Sequence, residues 1–155
     1  MKLYVQNTLI GSVGIAEHDG SITNLFFAKD KLPEGIEHVE TEGLSEAFLQ
    51  LDSYLAGRLK AFSLPLAPAG TPFMQTVWRI LSEIPYGTTV SYRDVAVVLG
   101  NPLAARAVGM ANHRNPLPVF IPCHRIIGSD GTLAGYRGGL ALKKLLLELE
   151  RGWAS

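Results

Sequence analysis

Cysteine occurs once in these 155 residues, as Cys123, so no internal disulfide can form. The chain also lacks any run of about 18 apolar residues, the length a membrane-spanning helix needs. Met1-Lys2-Leu3-Tyr4-Val5-Gln6-Asn7 has no apolar core of the kind a signal peptide carries. The expectation is a globular cytoplasmic protein without a membrane partner. Paired metal ligands are missing too, because the one cysteine and the scattered His18, His38, His113 and His124 show no structural zinc spacing. No metal and no cofactor are expected. Net charge is zero, with 14 basic and 14 acidic residues, which excludes a polycation that binds nucleic acid by charge alone.

That zero conceals an asymmetry. Residues 1–70 carry five Lys/Arg against nine Asp/Glu, a charge of −4, and residues 71–155 carry nine against five, a charge of +4. The second part can approach phosphate while the first cannot, and a charge of this size implies modest, salt-sensitive affinity.

The hydrophobic content of 47% supports a real core in one ordinary domain or two small ones. Residues 2–5, 10–16 and 21–27 are rich in β-branched and aromatic side chains, and His18-Asp19-Gly20 supplies a hairpin turn. Ser45 is a candidate N-cap for a helix with Phe48, Leu51, Leu55 and Leu59 on one face, packed on that antiparallel sheet. Pro65, Pro68 and Gly70 end both kinds of element, so residues 61–70 are the expected linker. The fold class is therefore α/β: a small N-terminal α/β domain over 1–70, then a mostly helical domain over 71–155.

In the second domain Thr71-Pro72 reads as an N-cap with proline at the first helical position, followed by Phe73, Val77, Ile80, Leu81 and Ile84 at helical spacing. Ser91 and Asp94 approximate a capping box, with Val95, Val98 and Leu99 as the buried face and Gly100 at the C-terminal end. Asn101-Pro102 then opens a second short helix, completing a helix-turn-helix pattern. At about 100° per residue, Leu103, Ala104, Ala107, Val108, Met110 and Ala111 fall on one side of that helix. The other side carries Ala105, Arg106, Gly109, Asn112 and His113. Its centre is almost bare, with one long cation beside it. Small residues there suit either close helix packing or entry into the minor groove, about 6 Å wide, by a helix that is otherwise about 10–12 Å across.

Asn115-Pro116-Leu117-Pro118 ends the helix and leads into Val119-Phe120-Ile121, read as a short strand bearing Cys123. Pro122-Cys123-His124-Arg125 places an imidazole and a guanidinium beside the only thiol. The thiolate is the nucleophile, and neighbouring cations favour it. On an extended segment Cys123 and His124 point apart, so proton transfer between them needs a turn or a bridging water, with the water favoured here. A glycine-rich loop, Gly135-Tyr136-Arg137-Gly138-Gly139, follows. Leu140 to Glu150 reads as a closing helix with Leu142, Leu145, Leu146 and Leu149 buried, and Glu150 by itself is no more than its solvated end.

Val90-Ser91-Tyr92, Ala105-Arg106-Ala107-Val108-Gly109, Asn115-Pro116, Pro122-Cys123-His124-Arg125 and the glycine-rich tyrosine loop, in that order, resemble the O6-alkylguanine-DNA alkyltransferases. The resemblance runs from about Thr71 to Glu150. It implies a suicide DNA-repair protein, monomeric, which binds duplex DNA through the minor groove and flips out O6-alkylguanine. The alkyl group then passes irreversibly to Cys123; O4-alkylthymine is a further candidate substrate. It further implies that His124 is the base acting through water, Glu150 orients His124, and Tyr136 hydrogen-bonds guanine N3. The carbonyls of Cys123 and Ile126 would read the exocyclic amine, the Arg137 amide would face O6 beside Gly138, and Asn115 would brace the turn. Arg106 would fill the gap left by the flipped base, Tyr92 would press on phosphate, and Ala105, Gly109, Asn112 and Arg125 would complete the DNA surface.

Three alternatives compete. A cysteine hydrolase draws its Cys and His from separate elements and has no use for a DNA-reading helix. A transcriptional helix-turn-helix needs base-reading side chains where this helix is bare. A noncatalytic module that binds alkylated DNA lacks the reactive cysteine that this chain has.

Overall fold

The computed structural model describes residues 1–133 and 135–154. The chain divides into two compact units, Met1–Ala69 and Gly70–Ser155.

In the first unit, β1 (Lys2–Thr8), β2 (Gly11–His18) and β3 (Ser21–Phe27) form an antiparallel meander, and the short β4 (Glu37–His38) pairs parallel with β1, giving the order β3-β2-β1-β4. Alternation along the strands puts Leu3, Val13, Ile15, Ile22 and Leu25 inside. Helix α1 (Glu42–Leu55) covers that face with Leu44, Phe48 and Leu51. Its N-cap is Thr41, whose side chain accepts from the Leu44 amide; Ser45, the residue expected there, already lies inside the helix. The helix stops at Leu55, ahead of Gly57 at φ 77°, so Leu59 lies beyond it.

In the second unit α2 (Pro72–Ser82) starts at the Thr71 cap with proline in its first turn. Val77, Trp78 and Leu81 are its buried stripe, and the Trp78 indole Nε1 donates to the Ala111 carbonyl at 2.9 Å. Strand β5 (Val90–Ser91) leads into α3 (Tyr92–Val98), where Ser91 and Asp94 form a full capping box. Val95 and Ala96 are the buried residues of α3; Val98, expected inside, is exposed. A 3-10 turn at Pro102–Ala104 precedes α4 (Ala105–His113). After a loop, Cys123–Arg125 forms a second 3-10 turn, β6 (Ile126–Ile127) pairs parallel with β5, and α5 (Leu140–Ala154) closes the unit.

Two helix faces differ from their sequence reading. On α4 the buried residues are Val108, Ala111 and Asn112, whereas Leu103 just ahead of it and Met110 on it are 93% and 56% exposed. On α5 the inward stripe is Lys143, Leu146, Leu147 and Glu150, at i, i+3, i+4 and i+7, and Leu145 is exposed. Both helices present to the interior the residues that the cysteine segment needs, not the most apolar set available. Among the described residues, no helix is long and apolar enough to cross a membrane.

Candidate active site

The segment before the cysteine is not a strand. Asn115, buried in the loop after α4, accepts from the Leu117 amide through Oδ1 at 2.9 Å and donates through Nδ2 to the Ile121 carbonyl at 3.0 Å. The Ile121 amide donates to the Leu117 carbonyl at 2.8 Å, which closes the loop into a knot of four residues, 118–121, bridged between Pro118 and Ile121. Val119 is held there at φ 76°, a conformation that costs a β-branched residue about 1–3 kcal/mol and persists only where surrounding bonds impose it. Pro118 and the two Asn115 bonds are what override the β propensity of Val119-Phe120-Ile121.

Cys123 therefore sits on a turn, 4% exposed, instead of on an extended segment. Burial raises its pKa above the ordinary thiol value; hydrogen bonding from the Asn115 side chain, then the charges of Arg137 and Lys143, pull it back down. The protein thus holds a desolvated thiol with three polar groups arranged to favour its ionised form.

His124 is fully buried, and its Nε2 lies 2.7 Å from Glu150 Oε2. A carboxylate at that distance accepts a hydrogen bond from Nε2–H, which fixes the tautomer and leaves the lone pair on Nδ1. Burial lowers the His124 pKa and the Glu150 bond raises it in part, so the ring stays neutral at physiological pH and is able to accept a proton. Glu150 is 1% exposed; besides His124 it accepts from Arg125 Nε at 2.8 Å, Arg125 Nη2 at 3.0 Å and the Gly87 amide at 3.3 Å. Arg125 is itself buried, donates through Nη1 to the Ile84 carbonyl at 2.7 Å, and stacks over the Tyr86 ring.

A small cleft of about 10 Å³ opens at the sulfur, lined by Asn112, Asn115, Cys123, Tyr136 and Arg137 among others. The Tyr136 hydroxyl is buried, and that burial, reinforced by the nearby Cys123, raises its pKa well above the ordinary phenol value. Tyr136 is therefore a donor at any physiological pH. Tyr92 is pushed the same way, by burial first and then by Cys123.

The structure joins His124 to Glu150 directly after Cys123 in the chain, and sets Tyr136, Arg137 and Asn115 around the cleft at Cys123. Ile126 is buried in β6 and Gly138 lies in the loop; neither lines the cleft. Arg106 is exposed on α4, and Ala105 is half-buried. Gly109 faces the Tyr92 ring at the start of α3, where a Cβ would stand at 3.7 Å, an ordinary van der Waals contact, so packing alone does not require glycine there. Two residues expected on the DNA surface are not on it. Arg125 is 8% exposed with its guanidinium committed to Glu150 and Ile84, and Asn112 is turned into the cleft. Lys143, which sequence reasoning passed over, is fully buried on α5 and acts electrostatically on Cys123. Its signal was the i, i+7 spacing to Glu150. Among the described residues no group of three or more His, Cys, Asp or Glu could hold a metal ion.

A buried cysteine followed in the chain by a histidine bonded to a carboxylate, after a capped helix pair, defines a protein with a cysteine nucleophile built on a helix-turn-helix frame. Comparison with known proteins agrees. Residues 72–152 match the family model of the 6-O-methylguanine DNA methyltransferase DNA binding domain, and residues 1–68 that of the ribonuclease-like domain of the same proteins. The constitutive methylated-DNA–protein-cysteine methyltransferase of Bacillus subtilis is 48% identical over 151 residues, covering 93% of this chain and 92% of that protein. The Methanosarcina barkeri methyltransferase is 47% identical, covering 91% of each. The crystal structure of Mycobacterium tuberculosis OGT in complex with DNA superposes with a TM-score of 0.93 at 41% identity, covering 99% of this chain and 94% of that one. The chain belongs to the methylated-DNA–protein-cysteine methyltransferase family.

Proposed function

We propose that this protein repairs DNA by transferring the alkyl group of O6-alkylguanine to Cys123, once per molecule. The observation that carries the reading is the sequence of groups Cys123, His124 and Glu150, with the tautomer of His124 set by a 2.7 Å contact to the carboxylate. His124 Nδ1 takes the thiol proton through water, as the buried neutral imidazole allows. The thiolate attacks the alkyl carbon in line; the C–S bond forms, the C–O6 bond breaks, and its electron pair passes to the purine. Tyr136, kept protonated by its surroundings, donates toward N3 and meets the charge that develops there.

The thioether has no easy leaving group, so the protein is consumed. Transfer is favoured over mere lesion binding because the thiol stands in the cleft itself. The base reaches it by flipping out of duplex DNA, with exposed Arg106 replacing it in the stack and α4 entering the minor groove; the protein acts as a monomer. At about 10 Å³ the cleft is smaller than a purine. O4-alkylthymine is a second candidate substrate.

Intact mass before and after incubation with an oligonucleotide bearing O6-methylguanine tests this. One methyl group per molecule should appear on the peptide containing Cys123 and none on Cys123→Ser. Repeated turnover by substoichiometric protein would refute it.

A further inference from the structure

Arg137 is the first corner residue of a turn closed by a bond from the Gly139 amide to the Tyr136 carbonyl at 2.9 Å, which fixes its backbone just ahead of α5. Its side chain is partly buried, with Nε out of contact with solvent, and lines the cleft at Cys123 together with Asn115 and Pro118. Among the described residues that line this cleft none is acidic. Burial raises the Cys123 pKa; after the Asn115 hydrogen bond, the Arg137 charge is the next influence that lowers it. The same charge acts on the buried Tyr136 hydroxyl. A guanidinium is charged at any working pH, and its planar fork of N–H donors matches a carboxylate.

The transferred carbon comes to rest on Sγ, so whatever that carbon carries lies in the cleft beside its lining. A methyl group carries nothing that a cation can read. An alkyl group that ends in a carboxylate, such as carboxymethyl, sets a negative charge next to the carbon under attack, and the incoming thiolate is negative too. Like charges this close in a partly desolvated cleft repel strongly, and a cation that faces both relieves the repulsion. Building on the proposed alkyl transfer, we infer that Arg137 determines which O6 adducts are preferred: its guanidinium pairs with the carboxylate of an anionic alkyl group while Sγ attacks the adjoining carbon. The C–S bond forms, the C–O6 bond breaks with its electron pair passing to the purine, and the product S-carboxymethylcysteine keeps the ion pair.

The test compares O6-carboxymethylguanine with O6-carbamoylmethylguanine in the same oligonucleotide duplex, two adducts of nearly the same shape that differ in charge. Single-turnover rates are measured for the wild-type chain, Arg137→Gln and Arg137→Glu, with intact mass locating the group on the Cys123 peptide. Each variant leaves the thiol harder to ionise, which slows both substrates by the same factor and cancels in the ratio of their rates. The inference expects the ratio of carboxymethyl to carbamoylmethyl transfer to fall about tenfold in Arg137→Gln, the worth of one charge-assisted hydrogen bond, and further in Arg137→Glu. An unchanged ratio in either variant, the result expected if Arg137 only meets a DNA phosphate, would overturn it. So would a wild-type chain that takes up methyl but not carboxymethyl. Absence of methyl transfer from O6-methylguanine by the wild-type chain would instead refute the proposed function.

Discussion

Arg125 grips Glu150 with two parallel hydrogen bonds, Nε to Oε1 at 2.8 Å and Nη2 to Oε2 at 3.0 Å, and both side chains are buried. The fork neutralises a carboxylate that would otherwise be too costly to bury, and it leaves Oε2 aimed at His124. The expected DNA contact is thus replaced by a structural one. Removing the guanidinium strands a buried charge. We expect Arg125→Met to lower unfolding free energy by about 3–5 kcal/mol in urea titration. A change under about 1 kcal/mol would show that Glu150 finds another partner.

Lys143 and Arg137 both lower the Cys123 pKa against the larger effect of burial. Taking away either cation leaves the thiol harder to ionise. The thiolate fraction rises with pH, so the reaction of Lys143→Met with free O6-benzylguanine should follow a pH profile displaced to higher pH than wild type. The sign for stability is linked: the folded-state thiol pKa is raised, so the folded state prefers the neutral thiol. Its contribution is complete below the pKa of the unfolded thiol and is lost as pH rises through the folded one. Superimposable pH profiles would rule out an electrostatic role for Lys143.

Alkylation adds bulk where Cys123 has a cleft of about 10 Å³. If the added group behaves as overpacking, the alkylated protein is less stable by roughly 1–3 kcal/mol. Its Tm should fall after stoichiometric reaction, and an unchanged or higher Tm would mean the loop accommodates the group without strain.

Arg106 is exposed on α4, beyond the packed residues Val108, Ala111 and Asn112. If its side chain fills the stack, Arg106→Ala leaves an unstacking cost of about a few kcal/mol unmet. The variant should react slowly with O6-methylguanine in saturating duplex and normally with free O6-benzylguanine. A phosphate contact alone would give weaker binding with a shallower salt slope and a wild-type rate at saturation.

What the sequence determined by itself is whatever a few adjacent residues decide. Thr71-Pro72 and the Ser91–Asp94 box start their helices where the structure has them, since capping depends on groups three residues apart. The order of motifs around Cys123 was enough to indicate the family and the kind of chemistry. What only the tertiary structure decided is which face of each helix is inside. Counting leucines put Leu145 in the core of α5, yet Lys143 and Glu150 are there, because His124 and Arg125, 26 and 25 residues away from Glu150, supply its hydrogen bonds. Asn112 turns inward, where its Nδ2 donates to the Cys123 carbonyl, and Val119 leaves the strand conformation because Asn115 closes the loop around it. Periodicity weighs apolar area alone. A buried polar group is positioned by partners distant in sequence, and those exist only once the chain has folded.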